Sequence, residues 1–222
     1  MLIVHHLNDS RSQRVLWLLE ELDIAYEIKK YQRTPQQLAP EELKAVNPLG
    51  TAPVITDGSV TLAESGAVIE YIIRKYANGK AQPPESGEVD DLYYTHYTEG
   101  SLMPLVVNRL VLGLVVDKAP FFIRPLISLL VSQILSRVLD PRLKLHAALI
   151  ETHLSRSSTG WFAGGDEPTS ADYMIIFALE AWSGLCPDML GSNTKAFIER
   201  VHNRPAYKRS IEKGGPYAFA RL

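Results

Sequence analysis

Cysteine occurs once in the 222 residues, at Cys186. A single thiol excludes an internal disulfide, a CxxC redox pair and a cysteine-based metal site, and it suits a reducing compartment, so a cytoplasmic location is expected. An excess of one charge is also lacking: 23 Lys and Arg stand against 25 Asp and Glu, a formal net charge of -2. Such a chain offers no counterion-releasing basic face, and nucleic acid is not an expected partner. The opening MLIVHHLNDSRSQR lacks the basic-then-apolar order of a signal peptide and reads instead as a first strand. Long hydrophobic runs are missing too. The most apolar stretch, Leu102 to Leu139, is broken by Arg109, Asp117, Lys118 and Arg124. No uncharged run there reaches the ~18 residues of a membrane span, so no span is expected and these segments read as core helices.

What is present is a globular composition, 46% hydrophobic and 22% charged, with enough apolar surface for a real core. Leu2 to Leu7 is short, apolar and β-branched, and Val15, Leu18, Leu19 and Leu22 then share one helical face at i, i+3, i+4 and i+7. Tyr26 to Tyr31 alternates as a second strand, and Pro40 to Val46 opens with Pro and two glutamates like a short helix. Pro53 to Thr56 and Val60 to Leu62 flank Asp57-Gly58, which reads as a hairpin turn with positive φ at both positions. Val68, Ile69, Ile72, Ile73 and Tyr76 form a helical stripe closed by Asn78-Gly79, suited to a left-handed cap. The order β-α-β-α-β-β-α is the thioredoxin-like arrangement, and it defines an expected N-terminal domain over residues 1–80. A polar Pro/Gly-containing linker follows, and residues 88–222 read as an all-α helical C-terminal domain.

Three places on the N-terminal unit suit anion or peptide binding. The loop Asn8-Asp9-Ser10-Arg11-Ser12 precedes the first helix, where thioredoxins carry their CxxC. Free N–H groups and the helix dipole stabilise a thiolate there, and a loop of hydroxyls without cysteine can apply the same field to a thiolate brought by a ligand. At Thr51-Ala52-Pro53-Val54, a cis proline would turn the N–H and C=O of Ala52 toward an extended peptide; the plainer alternative is that Pro53 begins an edge strand. At Glu64-Ser65-Gly66, Ser65 is a natural N-cap, and the same helix start can grip a carboxylate; capping alone is the simpler alternative. His96 and Tyr97 read as helix-surface or interface residues, and Cys186 as an inert, partly buried thiol.

The segments Ser10-Arg11-Ser12-Gln13-Arg14-Val15, Asn47-Pro48-Leu49-Gly50-Thr51-Ala52-Pro53-Val54, Leu62-Ala63-Glu64-Ser65-Gly66-Ala67 and Thr169-Ser170-Ala171-Asp172-Tyr173 carry a resemblance that covers essentially the whole chain. The sequence resembles the soluble glutathione transferase family. Leu7-Asn8-Asp9-Ser10-Arg11 and Glu99-Gly100-Ser101-Leu102 resemble the bacterial and fungal branch that contains the yeast Gtt-type enzymes. The resemblance implies a homodimer with glutathione as substrate, no metal, and a site between the two domains where the thiolate attacks a hydrophobic electrophile. By the same resemblance, Ala52 beside a cis Pro53 pairs with the cysteinyl part of glutathione, and Glu64 and Ser65 hold its γ-glutamyl end.

Thr51 stands where relatives often carry a longer glutamine, lysine or arginine, and Lys44 and Arg11 are candidates for the missing positive charge. Some branches activate the thiol with a tyrosine at the end of the first strand; His5 and His6 occupy that region here, which leaves Ser10 as first candidate and Asn8 as its competitor. Thr169 and Asp172 match the family's helix-capping box. Met103, Leu110, Phe122 and Tyr217 are candidates for the electrophile pocket, with plain core packing as the alternative. A glutathione-dependent disulfide reductase or peroxidase, and a non-catalytic glutathione-binding protein, remain as alternative functions.

Overall fold

The computed structural model describes residues 1–215 and 217–220. Strands β1 (Leu2–Leu7), β2 (Glu27–Tyr31), β3 (Val54–Asp57) and β4 (Val60–Ala63) form one sheet in the order β2-β1-β3-β4. β1 and β2 run parallel, which requires a crossover. Helix α1 (Ser12–Glu21) supplies it and buries Val15, Leu16, Trp17, Leu18 and Leu19. β3 is antiparallel to both β1 and β4. Helix α3 (Ser65–Tyr76) buries the stripe Val68, Ile69, Ile72 and Ile73, and Asn78 and Gly79 follow with φ of 49° and 85°. The short α2 (Glu41–Lys44) has Pro40 as its N-cap rather than its first residue. This is a thioredoxin-like N-terminal domain.

From Glu85 onward the described residues hold helices and loops and no strand. The helices are α4 (Glu88–Tyr97), α5 (Met103–Asp117), α6 (Arg124–Ile134), α7 (Asp140–Arg156), α8 (Ser170–Leu185), α9 (Ser192–Asn203) and α10 (Pro205–Gly214). A π-helical segment, Thr98–Leu102, joins α4 to α5, and another, Leu135–Leu139, joins α6 to α7. Helix α8 is the axis of this mostly helical C-terminal domain. Every residue from Ser170 through Ser183 is buried. Trp17 of α1 meets Tyr173 of α8 edge-on at 4.6 Å and Tyr207 of α10 at 6.1 Å, so one aromatic cluster ties the two domains together.

Three expectations are corrected. The hairpin turn is Gly58-Ser59, because Asp57 still pairs with Val60; of the two turn residues only Gly58 has positive φ, 61°. Asp57 therefore stays in the strand, where its carboxylate accepts from Lys75, Tyr76 and Tyr71, and these donors hold its pKa down at about 2. Tyr97 is buried rather than on the helix surface, with its hydroxyl 2.5 Å from His146 Nδ1. Finally, α5 and α6 are not core helices. The buried residues of α5 are Met103 and Val106, and that of α6 is Val131; most of their other apolar side chains face outward.

Candidate active site

Strand register brings the three loop motifs to one place. His5 of β1 lies opposite Val54, and Val54 lies opposite Ala63. The C-terminal end of β1, the start of β3 and the C-terminal end of β4 therefore share one end of the sheet, from which Asn8–Ser12, Thr51–Pro53 and Glu64-Ser65 extend. The Ala52–Pro53 bond is cis. Among the described residues, neither the N–H nor the C=O of Ala52 has a hydrogen-bond partner. Glu64 sits at φ 70°, ψ 115°, a conformation that costs a non-glycine residue on the order of 1–3 kcal/mol. It is Glu64, not Ser65, that occupies the N-cap position; Ser65 is the first helical residue, buried, with its hydroxyl accepting from Arg14 Nη1 at 3.0 Å.

The loop after β1 is held by a polar network. Ser10 is buried, donates to the Leu7 carbonyl at 2.7 Å, lies 2.7 Å from Ser12 Oγ and accepts the Ser12 N–H at 3.2 Å. Ser12 Oγ is 2.8 Å from His6 Nδ1. Burial, assisted by the charge of Lys30, pushes the His6 pKa down to about 4, so the ring is neutral and its Nδ1 shares a hydrogen bond with the Ser12 hydroxyl. Asn8 accepts the Arg33 N–H at 2.8 Å through Oδ1 and donates to Asp9 at 3.2 Å through Nδ2. The Arg33 guanidinium donates to the carbonyls of Asn8 and Asp9, each at 3.3 Å, and the Ala218 N–H donates to Asp9 Oδ1 at 2.7 Å. Both candidate thiol activators are thus engaged inside the loop. The backbone N–H groups of Ser10 and Arg11 have no acceptor among the described residues.

A charged cluster that sequence reasoning did not assemble lies behind Ser65. Arg14 is fully buried; its Nη1 bonds Glu99 at 2.5 Å, and its Nε and Nη2 have no partner among the described residues. Arg11 bonds the same Glu99 oxygen at 2.9 Å, and the guanidinium of Arg14 lies 5.3 Å from the Phe177 ring on α8. Burial pushes the Glu99 carboxyl up, but Arg14 and Arg11 together hold it below its ordinary value. Glu99 belongs to the π-helical turn between α4 and α5. Such turns often mark functional sites, but the sequence shows Glu99 and Arg14 only as members of separate motifs.

The remaining predicted residues are dispersed. Lys44 is spent on Glu41 at 2.7 Å, and the Thr51 hydroxyl accepts from Asn47 at 2.9 Å. Tyr217 is buried, donates to Glu180 at 2.7 Å and stacks on Phe177 with centroids 6.2 Å apart. Met103 is buried at the start of α5 and Leu110 is half-buried two turns on. Phe122 lies past the far end of that fifteen-residue helix, on the order of 20 Å from Met103 at ~1.5 Å rise per residue. The structure does not bring these four into one pocket.

Residues 1–74 match the glutathione S-transferase N-terminal domain. Glutathione S-transferase 3 of Schizosaccharomyces pombe is 35% identical over 218 residues, which cover 96% of this chain and 88% of that protein. The chain belongs to the glutathione S-transferase family. Glutathione S-transferase 1 of Saccharomyces cerevisiae is 32% identical over 186 residues, covering 80% and 79% of the two chains, in keeping with the resemblance to the branch that holds the yeast enzymes. Among solved structures, a glutathione S-transferase of Actinobacillus pleuropneumoniae superposes with a TM-score of 0.76 at 26% identity, over 100% of this chain and 97% of that one.

Proposed function

We propose that the chain is a glutathione transferase that lays glutathione along the end of the sheet and conjugates its thiolate to a hydrophobic electrophile. The observation that carries this reading is the helix start at Glu64: a non-glycine residue kept at positive φ, beside a buried serine backed by a buried arginine with unused N–H groups. Strain of that kind persists where surrounding structure over-determines it, and it clusters at ligand clamps. Glu64 and Ser65 would take the γ-glutamyl end, and Ala52 would pair its free N–H and C=O with the cysteinyl backbone. Arg11 would supply positive charge nearby; Lys44 can contribute only by leaving Glu41.

The sulfur then faces the N-terminus of α1. A free thiol, with pKa ~8.5, is a few per cent thiolate at neutral pH. The open N–H groups of Ser10 and Arg11, the helix dipole and a hydroxyl donor lower that value without a general base. Ser10 is the donor. Its proton leaves the Leu7 carbonyl, giving up a neutral hydrogen bond worth ~1 kcal/mol for a charge-assisted one worth ~1.5–3 kcal/mol. Asn8 is the weaker competitor, because its amide oxygen is fixed by the Arg33 N–H and its amide nitrogen faces Asp9. The electrophile would approach from the α8 side, where Phe177 and Tyr217 border Arg14 and Arg11; Met103 and Leu110 on α5 would extend its apolar wall, and Phe122 would lie outside it.

A homodimer is part of the same reading. Tyr97 of α4 reaches His146 of α7, and Val89, Leu92, Tyr93, Leu145 and Leu149 are left exposed on these two helices. One thiol and a balanced charge suit a cytoplasmic enzyme that clears electrophiles. The test is calorimetry with glutathione, followed by turnover on an aromatic halide and, separately, on a small disulfide. Association together with a rate above background on the halide supports conjugation. Absence of heat at millimolar glutathione removes the whole reading, and turnover confined to the disulfide replaces conjugation by disulfide reduction.

A further inference from the structure

We propose that the α5–α6 hairpin is a docking surface for an anionic lipid bilayer. The two helices meet at a turn where Phe121 and Phe122 are 83% and 71% exposed, their rings edge-to-face at 5.6 Å. Along α6 the exposed Leu126, Leu129, Leu130 and Ile134 recur at helical spacing, as Val107, Val111, Leu114 and Val115 do along α5. Singly exposed apolar residues need no explanation, but an unbroken run of them on neighbouring elements marks an interaction surface.

Charge names the partner. From Asp117 to the end of the π-helical segment after α6 the exposed ions are Lys118, Arg124 and Arg137 against Asp117; Asp140, at the start of α7, is half-buried and ion-paired with Arg109. The chain as a whole has slightly more acids than bases, so this local excess of cations is a segregation, not a sample of the average. An apolar stripe flanked by exposed cations, with phenylalanines at its leading end, is the pattern of helices that lie in the headgroup layer of acidic membranes. Arg124 also donates to the carbonyls of Asp117 and Ala119, which fixes the turn that carries the two phenylalanines.

A second copy of the chain fits this surface less well, because an isologous contact would set the same cations against one another. Nor does the hairpin span. The helical run Glu85–Asp117 is long and apolar enough to cross a membrane, but Arg109 within it is tied to Asp140 and to the Cys186 sulfur, and α4 packs on α8. The hairpin therefore rests on a surface while the rest of the chain stays in water. This assignment does not depend on glutathione binding.

The test is flotation of the purified chain with vesicles of phosphatidylcholine alone and of phosphatidylcholine with about a third phosphatidylserine, at low and high salt. The wild-type chain floats with the acidic vesicles at least tenfold more than with the neutral ones, and high salt weakens the association. The double variant Phe121→Ser/Phe122→Ser loses tenfold or more, and Lys118→Glu/Arg137→Glu loses severalfold along with most of the salt dependence. Light scattering gives the same particle mass for all three proteins. The proposal is overturned if the wild-type chain ignores acidic vesicles at millimolar lipid, if both variants float as well as it does, or if the phenylalanine variant changes the oligomer's mass, which would make the hairpin a contact between copies.

Discussion

Helices α5 and α8 are both strongly apolar in sequence, yet α8 is buried from Ser170 through Ser183 while α5 buries Met103 and Val106. The difference lies in what surrounds them. Helix α8 is packed by α1, α4, α9 and the C-terminal segment, so its carboxylates need partners inside the fold, although Ser170 Oγ and Trp182 Nε1 have none among the described residues. Asp172 takes the N–H groups of Phe162 and Thr169, and Glu180 takes His202, Tyr207 and Tyr217. Helix α5 touches α6, α7 and α8 yet leaves most of its apolar side chains at least partly in solvent. Hydropathy reports what a helix can bury, and tertiary arrangement decides what it does bury. The candidate site belongs to the first environment, since Arg11 and Arg14 lie against Phe177 of α8.

The comparison is sharpened by mutations taken in order of size. Leu179→Ala on α8 removes a side chain with no exposed surface and is expected to cost ~2–5 kcal/mol in denaturant unfolding. If it costs no more than a surface substitution, the contrast between the two helices fails. Next comes His6, whose native pKa of about 4 lies below its ordinary 6.5. The folded state holds the neutral ring, so this contribution is complete above pH ~6.5 and is lost as the pH falls toward ~4. It amounts to at most ~3.5 kcal/mol at ~1.4 kcal/mol per pKa unit. His6→Gln should flatten the stability profile over that interval; an unchanged slope would mean that burial beside Lys30 does not hold the ring neutral.

Ser10→Ala is expected to lower turnover on the order of 10²-fold, by analogy with loss of an anion-hole donor. Unchanged turnover would transfer the task to the open backbone N–H groups or to Asn8. Glu64→Gly relieves the positive φ and should raise stability by ~1 kcal/mol while weakening glutathione binding. A loss of stability instead would show that the Glu64 side chain is a structural element. The smallest effect is Leu129→Ser on α6, within ~0.5 kcal/mol of wild type because the side chain already faces solvent. A large loss there would reveal a partner covering the hairpin.

Much of the N-terminal domain is legible in the sequence because its signals are local. The stripe on α3, the β-branched first strand and the Asn78-Gly79 cap each lie within a dozen residues. The three loops of the site are legible for the same reason, and strand register then unites them. What escapes depends on pairing at a distance. The Gly58-Ser59 turn is set by Asp57 pairing with Val60, which dipeptide preference does not reveal. Glu64 takes the N-cap position through a positive φ that no glycine advertises. The Arg14–Glu99 pair joins α1 to a π-turn 85 residues further on. Outward-facing α5 and α6 carry the same apolar periodicity as core helices, so composition alone places them in the core.

The most direct test of the central claim is the ultraviolet titration of the glutathione thiolate bound to the wild-type protein and to Ser10→Ala. The account predicts that the bound thiol ionises at least one pH unit below the free value of ~8.5, and that the variant moves it back toward that value. A bound thiol that titrates like free glutathione, with no difference between the two proteins, would contradict it.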